Sequence, residues 1–504
     1  MSSPSSPATR SRTGYRTCRG LALLLLLLLC AGCQQPETAR VDFSLHASTN
    51  TPLIAVARVE CDKPVIAKIV EIESQTYKAS FSPESPPGRF LELKIPGLAA
   101  GAPNQLKLGY VYQDNPDKML WCAGQLQAPE LPADFPDIQI VEQGQHEDTL
   151  LLVSSVPLGP GNPIRQPGYL FVMTKSGQVV WLHRLEQSPT EVQITPDGKG
   201  LAFQTLGDLD WREIEWNGNV VRHWQSTGLR TPKPGRVPVP LETFHHDFFY
   251  PESNEGLWTL SSRRRGQYID ESLVKVSATG KVEKELSLMK ILQPKRELYP
   301  PHPNFWELFY EPGVVDWGHS NSLFPSPDQK TALVSLRHQD AVVNVNLETG
   351  ELLWILGRPE KWNPPLQKRL LRADPHHKWF SKQHSAKWLA NGHLVLFDNG
   401  RERSRVLEYS VDTEEMRARL EWSYEGSQPF FSEYFGDVDP LPDTGNILVT
   451  DGARKSENGK SWARLVEVTH DEKAEEVWEA RFSGGGKKGC TIYRATPLKS
   501  LQPI

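Results

Sequence analysis

No membrane-length apolar run, no basic stripe and no glycine-rich phosphate loop occur in this sequence. The longest apolar run, Leu21 to Leu29, is too short to span a bilayer permanently. Without a basic stripe, nucleic acid is excluded as the expected partner. Without a phosphate loop between strand and helix, no nucleotide donor is indicated. Cysteine is also scarce, six in 504 residues, and two of those, Cys18 and Cys30, fall in the leader. What is present is the composition of a folded body, 38% hydrophobic and 23% charged.

The first 32 residues read as a secretory leader. Arg10, Arg12, Arg16 and Arg19 precede the apolar run, and Ala31 and Gly32 follow it. Leu-Cys-Ala-Gly-Cys resembles a lipobox, which makes Cys33 the expected site of lipidation. Gln34 follows it rather than Asp, so outer-membrane sorting is expected. Losing residues 1–32 removes four positive charges and moves the net charge from −5 to about −9. A membrane contact is then expected through the lipid alone. Once Cys33 is acylated, Cys61 and Cys122 are the expected disulfide in an oxidising compartment. Cys490 is left over and reads as a buried inert thiol.

A hairpin unit recurs six times. Its copies are Leu170–Trp181, Arg212–Trp224, Ser272–Leu286, Ala341–Trp354, Ser404–Trp422 and Ala463–Trp478. Alternating apolar residues around Ser-Gly, Asn-Gly and Thr-Gly turns predict antiparallel strands. Trp181, Trp224, Trp354, Trp422 and Trp478 are expected to pack between units. Five copies of a second hairpin lie between them, among them VQITPDGKGLAF and AKWLANGHLVLF. Four strands per unit repeated around a ring predict an all-β fold, a six-bladed β-propeller over residues 136–504. Residues 33–135 lack the repeat and predict a small N-terminal β-sandwich. A proline-rich bridge, Leu126 to Asp137, joins the two. An insertion from about Leu288 to Val315, rich in proline and aromatics, reads either as a mouth loop or as a packed surface excursion.

Three histidines share one phase of the second hairpin: His245 in FHHDFF, His319 in WGHSNSLF and His384 in KQHSAKWL. Each stands five residues before a turn entry, so all three converge on the propeller axis. Asn321 and Asp247 lie two residues after a histidine and point the same way in an extended strand. Arg337 and Thr450 end the adjoining strands. Imidazoles, an amide, a guanidinium and a hydroxyl suit an oxyanion-rich group. Three histidines also suit zinc, but Arg337 beside them opposes a bound cation, so no metal and no cofactor are expected. His338 is expected to face away from Arg337. His376 and His377 read as a solvated loop, and His302 carries no phase argument.

At these residues the chain resembles the bacterial arylsulfate sulfotransferases. DWGHSNSLF is similar to the family's Asp-Trp-x-His-x-Asn-Ser segment, and VSLRHQ to its Ser-Arg-His-Gln strand. QHSAKWLANGHLVLFDNG resembles its Gln-His-Asp and Phe-Asp-Asn-Gly segments, and FHHDFFY its His-His-Asp element. The resemblance implies transfer of a sulfuryl group from an aryl sulfate donor to a phenolic acceptor without a nucleotide. It implies His384 as the nucleophile that becomes sulfated. His319, Asn321, Arg337 and Thr450 would hold sulfuryl oxygens or assist proton transfer. One further histidine comes from His245 or His246; phase favours the first. Phe305, Trp306 and Tyr310 are candidates to stack on the aryl ring. Ser385 departs from the family's usual Asp, and no close cysteine pair lies near these segments. A homodimer is left open, as are a sulfatase and a non-catalytic scaffold.

Overall fold

The structure, a computed structural model, describes residues 39–142, 144–158, 166–205, 207, 209–253, 255–292, 296, 298–299 and 305–501. The leader, Cys33 and His302 lie outside the described residues. Among these residues no helix is long and apolar enough to cross a membrane.

The N-terminal unit is one six-stranded sheet built on a 20-residue strand, Ile54–Glu73. Its first half lies between Arg40–Leu45 and Gly88–Pro96, its second between Lys78–Phe81 and Pro103–Tyr112. Val65, Ala67, Val70 and Ile72 are buried, alternating except where the register slips between Ala67 and Ile69. The sheet folds back on itself, with the Phe43 ring of the first strand against Gly124 of the last. Cys61 and Cys122 are buried thiols, not joined in the expected disulfide. They belong to Ile54–Glu73 and Asn115–Gln127, and Pro103–Tyr112 runs between those strands. Burial pushes the Cys61 thiol up to about 11.

Six further sheets of four or five strands follow. Their inner strands are Cys490–Leu498 (sheet I), Pro189–Ile194 (II), His245–Phe249 (III), Ser320–Pro325 (IV), His384–Trp388 (V) and Asp437–Pro440 (VI). Neighbouring inner strands touch in that cyclic order, and VI meets I. The ring is a β-propeller. Its closure differs from the hairpin pattern of the sequence. The inner strand of sheet I comes from the far end of the chain and pairs with Leu150–Pro157. Strand Pro136–Glu142 adds a fifth strand to the outside of sheet VI.

The six outer hairpins coincide with the sequence repeat. Each carries a register shift, next to its turn in five and farther down the strands, between Glu408 and Tyr409, in the sixth. Gly218 and Gly280 sit in two of these turns at φ 87° and 85°, a conformation glycine adopts without a Cβ clash. The tryptophans lock one sheet to the next. The indole N–H of Trp181 donates to the Trp216 carbonyl at 2.6 Å, Trp224 to Ser277 at 3.2 Å, Trp422 to Asp471 at 2.8 Å and Trp478 to Lys175 at 2.8 Å. Each acceptor lies at the hairpin turn of the following sheet. Trp354 instead meets Trp388 edge to face. Full burial of such side chains contributes about 1.5–3 kcal/mol each.

Candidate active site

The predicted histidines stand at the starts of three inner strands. His245 opens the strand of sheet III, His384 that of sheet V, and His319 immediately precedes that of sheet IV. The backbone then sets where each ring goes. His246, His319 and Ser385 adopt left-handed φ of 58°, 50° and 54°, at or beside register shifts in their strands. Such bulges break two-residue alternation and re-aim side chains.

In sheet III the bulge turns His246, not His245, toward the other imidazoles. The His246 ring lies 5.0 Å from that of His319, centroid to centroid. His245 is fully buried behind it, with Nδ1 2.9 Å from His246 Nδ1 and Nε2 2.8 Å from the Ser262 hydroxyl. The phase reading that favoured His245 is therefore corrected, because strict alternation does not survive the bulge.

His384 is 5% exposed. Its Nδ1 lies 2.6 Å from Asn399 Oδ1. The Asn399 amide is committed, donating to the carbonyls of Ser432 at 2.9 Å and Phe435 at 2.6 Å. Its oxygen can only accept, so His384 Nδ1 carries the proton and Nε2 keeps its lone pair. Burial, then the charge of Arg337, lowers the imidazole to about 3. His384 is thus a neutral nucleophile at ordinary pH.

His319 repeats the arrangement with a carboxylate. Its Nδ1 is 2.6 Å from Asp316 Oδ2, on a side chain 3% exposed. That bond leaves Nε2 as a base. Burial and then Arg337 hold His319 well below the usual range. Burial, then His319, His384 and Arg337, do the same for His246.

His338 does not face away from Arg337. Arg337–Gln339 is a 3-10 turn rather than a strand end, which brings both side chains to one side. Arg337 donates to His338 Nε2 at 2.9 Å, and His338 Nδ1 donates to the Asp316 carbonyl at 2.7 Å. Asp316, His319 and His338 have ligand atoms within 4.8 Å of one another, a spacing that could hold a metal ion. As they stand, both Nδ1 atoms are engaged by Asp316, and the guanidinium sets a fixed positive charge against a second cation.

Asn321 and Thr450 are each 1% exposed. The Asn321 amide donates to the Gln383 carbonyl at 2.8 Å, so it anchors the segment entering His384. Thr450 lies opposite Asp437 in sheet VI, its hydroxyl without a hydrogen-bond partner among the described residues. In the insertion, Phe305 stands edge-on to His246 and His319, at 6.2 and 6.5 Å. Trp306 is buried against His245, and the Tyr310 hydroxyl donates to Glu242 at 2.8 Å. Of the three aromatic candidates only Phe305 meets the exposed imidazoles. The insertion walls the site. Asp316 and Asn399 were not singled out from sequence, although both lie within quoted segments, and His338 was read as facing away from the site.

Elsewhere the channel lining is ionic. Arg494 of sheet I reaches Glu191 of sheet II at 2.6 Å, Asp247 at 3.8 Å and Asp437 at 3.2 Å. Lys387 reaches Asp437 at 2.9 Å and Asp439 at 2.6 Å. Burial pushes Asp437 up, but Arg494 and Lys387 outweigh it and hold the carboxyl below its usual range. Burial, then Asp437, raises Asp439 to about 7. The Ser385 hydroxyl donates to Asp437 and joins this lining to the residue after His384.

Solved structures similar to this chain include a protein of unknown function from Bacteroides caccae. It is 13% identical, covers 70% of this chain and 100% of its own, and has a TM-score of 0.43. The periplasmic gluconolactonase of Pseudomonas aeruginosa is 12% identical over 70% of this chain and 99% of its own, at TM-score 0.35. A putative 6-phosphogluconolactonase from Bacteroides fragilis is 10% identical over 87% and 99%, at 0.36. None of these scores carries an argument about activity. No curated protein matches. The family model described as Arylsulfotransferase (ASST) matches residues 138–494, which takes in every imidazole and guanidinium of the site. On that match, over well more than half its length, the chain belongs to the arylsulfotransferase family and is a sulfotransferase in the general sense.

Proposed function

We propose that the protein moves a sulfuryl group from an aryl sulfate to a phenol by a ping-pong route through sulfated His384. The observation that carries this is the His384–Asn399 bond, which fixes the tautomer and leaves Nε2 as a buried lone pair. In the first half-reaction Nε2 attacks sulfur. The N–S bond forms, the S–O(aryl) bond breaks and the phenolate leaves. The ring becomes an N-sulfoimidazolium that keeps its Nδ1 proton on Asn399. In the second, an acceptor phenol attacks sulfur and passes its proton to His319 Nε2, the S–O bond forms, and the N–S pair returns to His384. This is covalent catalysis assisted by a general base.

Charge builds on the nonbridging oxygens and on the leaving phenolate. Arg337 is the fixed cation nearest the imidazoles, and the Thr450 hydroxyl is an available donor; preorganised groups of this kind supply much of the rate. His246 completes the imidazole wall, with His245 setting its orientation. Asn321 acts by holding Gln383. No cofactor enters this scheme. Cys33 is proposed as the lipid-bearing first residue of the mature chain, tethering it to the outer membrane on the periplasmic side.

The test uses mature protein lacking Cys33, with p-nitrophenyl sulfate, with and without phenol. Phenol-dependent release of p-nitrophenol together with phenyl sulfate formation is the expected result. Release that phenol does not increase would replace transfer by hydrolysis. No release from several donors would return the protein to the scaffold reading.

A further inference from the structure

Three cations gather beside the site, and the sulfuryl group accounts for one of them. Arg337 is half-buried against His338. Lys382 stands two residues before His384, at most about 7 Å of chain away. Arg401 lies in the exposed loop that follows Asn399. The last two flank one ring. Lys382 Nζ and Arg401 Cζ are each 5.7 Å from the centroid of Tyr299. That ring is 6.0 Å from His338.

The grouping is held from below. Asp340 Oδ1 accepts the Tyr299 hydroxyl at 2.6 Å and the Lys382 backbone N–H at 2.9 Å. Lys382 itself has φ 56°, a strained conformation for a lysine, so its position is imposed by the surroundings. Among the described residues no ion pair joins Arg337, Lys382 or Arg401 to a carboxylate, although Asp340 and Glu433 are near enough to act on Arg337 and Lys382. Arg337 leans on the Glu433 backbone carbonyl at 3.5 Å. Burial lowers the Lys382 ammonium, and Arg337 and then Arg401 add to it. Three like charges crowded beside a half-buried aromatic face, with Asp340 and Glu433 acting on them without forming an ion pair, describe a place for an aryl anion.

We infer that Tyr299, Lys382 and Arg401 form a subsite for a second negative group on the aromatic substrate, such as a ring carboxylate or a second sulfate. This rests on the aryl sulfate reading of the site. One sulfuryl group is met by Arg337 and the imidazoles. The ring then lies toward Tyr299, and a substituent anion reaches Lys382 and Arg401. The preferred substrates are therefore sulfated aromatic acids or disulfated aromatics rather than neutral-ring aryl sulfates.

Unreactive sulfonates separate this inference from the transfer chemistry, because their C–S bond cannot deliver a sulfuryl group. Binding of 4-sulfobenzoate and of benzenesulfonate is measured by calorimetry on the mature protein, the Lys382→Met/Arg401→Met variant and the Lys382→Glu variant. Wild type should prefer the dianion by about tenfold or more. The double substitution should erase that preference, and Lys382→Glu should reverse it. Thermal melting of each variant shows whether the fold is kept. If the preference behaves this way while no aryl sulfate is turned over, the subsite stands and the transfer reading falls. Equal binding of the two sulfonates to wild type, or a preference that survives both variants, overturns the subsite whatever the transfer assay gives.

Discussion

One side of the channel is lined by imidazoles and the other by ions, and the two sides treat their charges oppositely. On sheets III to V, His246, His319 and His384 are held below their ordinary range, and His319 and His384 each keep an Nε2 uncommitted. In the other group Arg494 and Glu191, Asp247 and Asp437, from sheets I, II, III and VI, spend their charges on one another. The same burial acts on both. The imidazoles answer it by staying neutral; among the ions, Arg494 and Lys387 hold Asp437 charged, while burial still raises Glu191 and Asp247. Neutrality leaves a lone pair for chemistry; pairing leaves nothing over but a fixed geometry.

The sharpest break of this contrast is His384→Ala. Transfer to phenol should fall by about 10³-fold or more, as for loss of other covalent nucleophiles, with the melting temperature little changed. Arg494→Met should give the opposite pattern. It strands Glu191 and Asp247, leaves Asp437 with Lys387 alone, and should cost about 3–5 kcal/mol, read as a lower urea midpoint. An unchanged midpoint would mean the ionic side is not what holds the ring.

Asn399→Asp tests the imidazole side by pH. His384 must be neutral to attack, and with its value near 3 the acid limb of kcat/KM that it governs lies well below pH 5. A carboxylate against Nδ1–H favours the imidazolium, so the substitution should move that limb to higher pH by about one unit or more. A limb that stays in place would dismiss Asn399 as the group setting the tautomer. Ser385→Ala cuts the link between the two sides. It should cost about 1 kcal/mol, a typical lost hydrogen bond, and lower transfer by less than Asn399→Asp does.

The outer hairpins were legible because each is a local unit, a strand, a turn with glycine or its stand-in, and a tryptophan. The ring closure was not. Cys490–Leu498 has no hairpin neighbour, and its partner Leu150–Pro157 lies more than 300 residues upstream, beyond any local pattern. The five copies of the second hairpin against six of the first were the trace it left. Within the site, the residue types were legible and their directions were not. A left-handed φ at His246 and a 3-10 turn at Arg337–Gln339 each overrode the alternation on which the reading of side-chain direction depended. Asn399 was in view as part of a family-like segment, but its role needs the carbonyls of Ser432 and Phe435, more than 30 residues on.

The closing strand also sets an order of events. Arg494 follows Glu191, Asp247 and Asp437 in the chain, and until its strand is in place those carboxylates have no guanidinium to meet. Without strand Cys490–Leu498 the ring would stay open, with Glu191 and Asp247 unpaired along its inner edge. Closure of the ring and pairing of the charges along its channel are therefore one step.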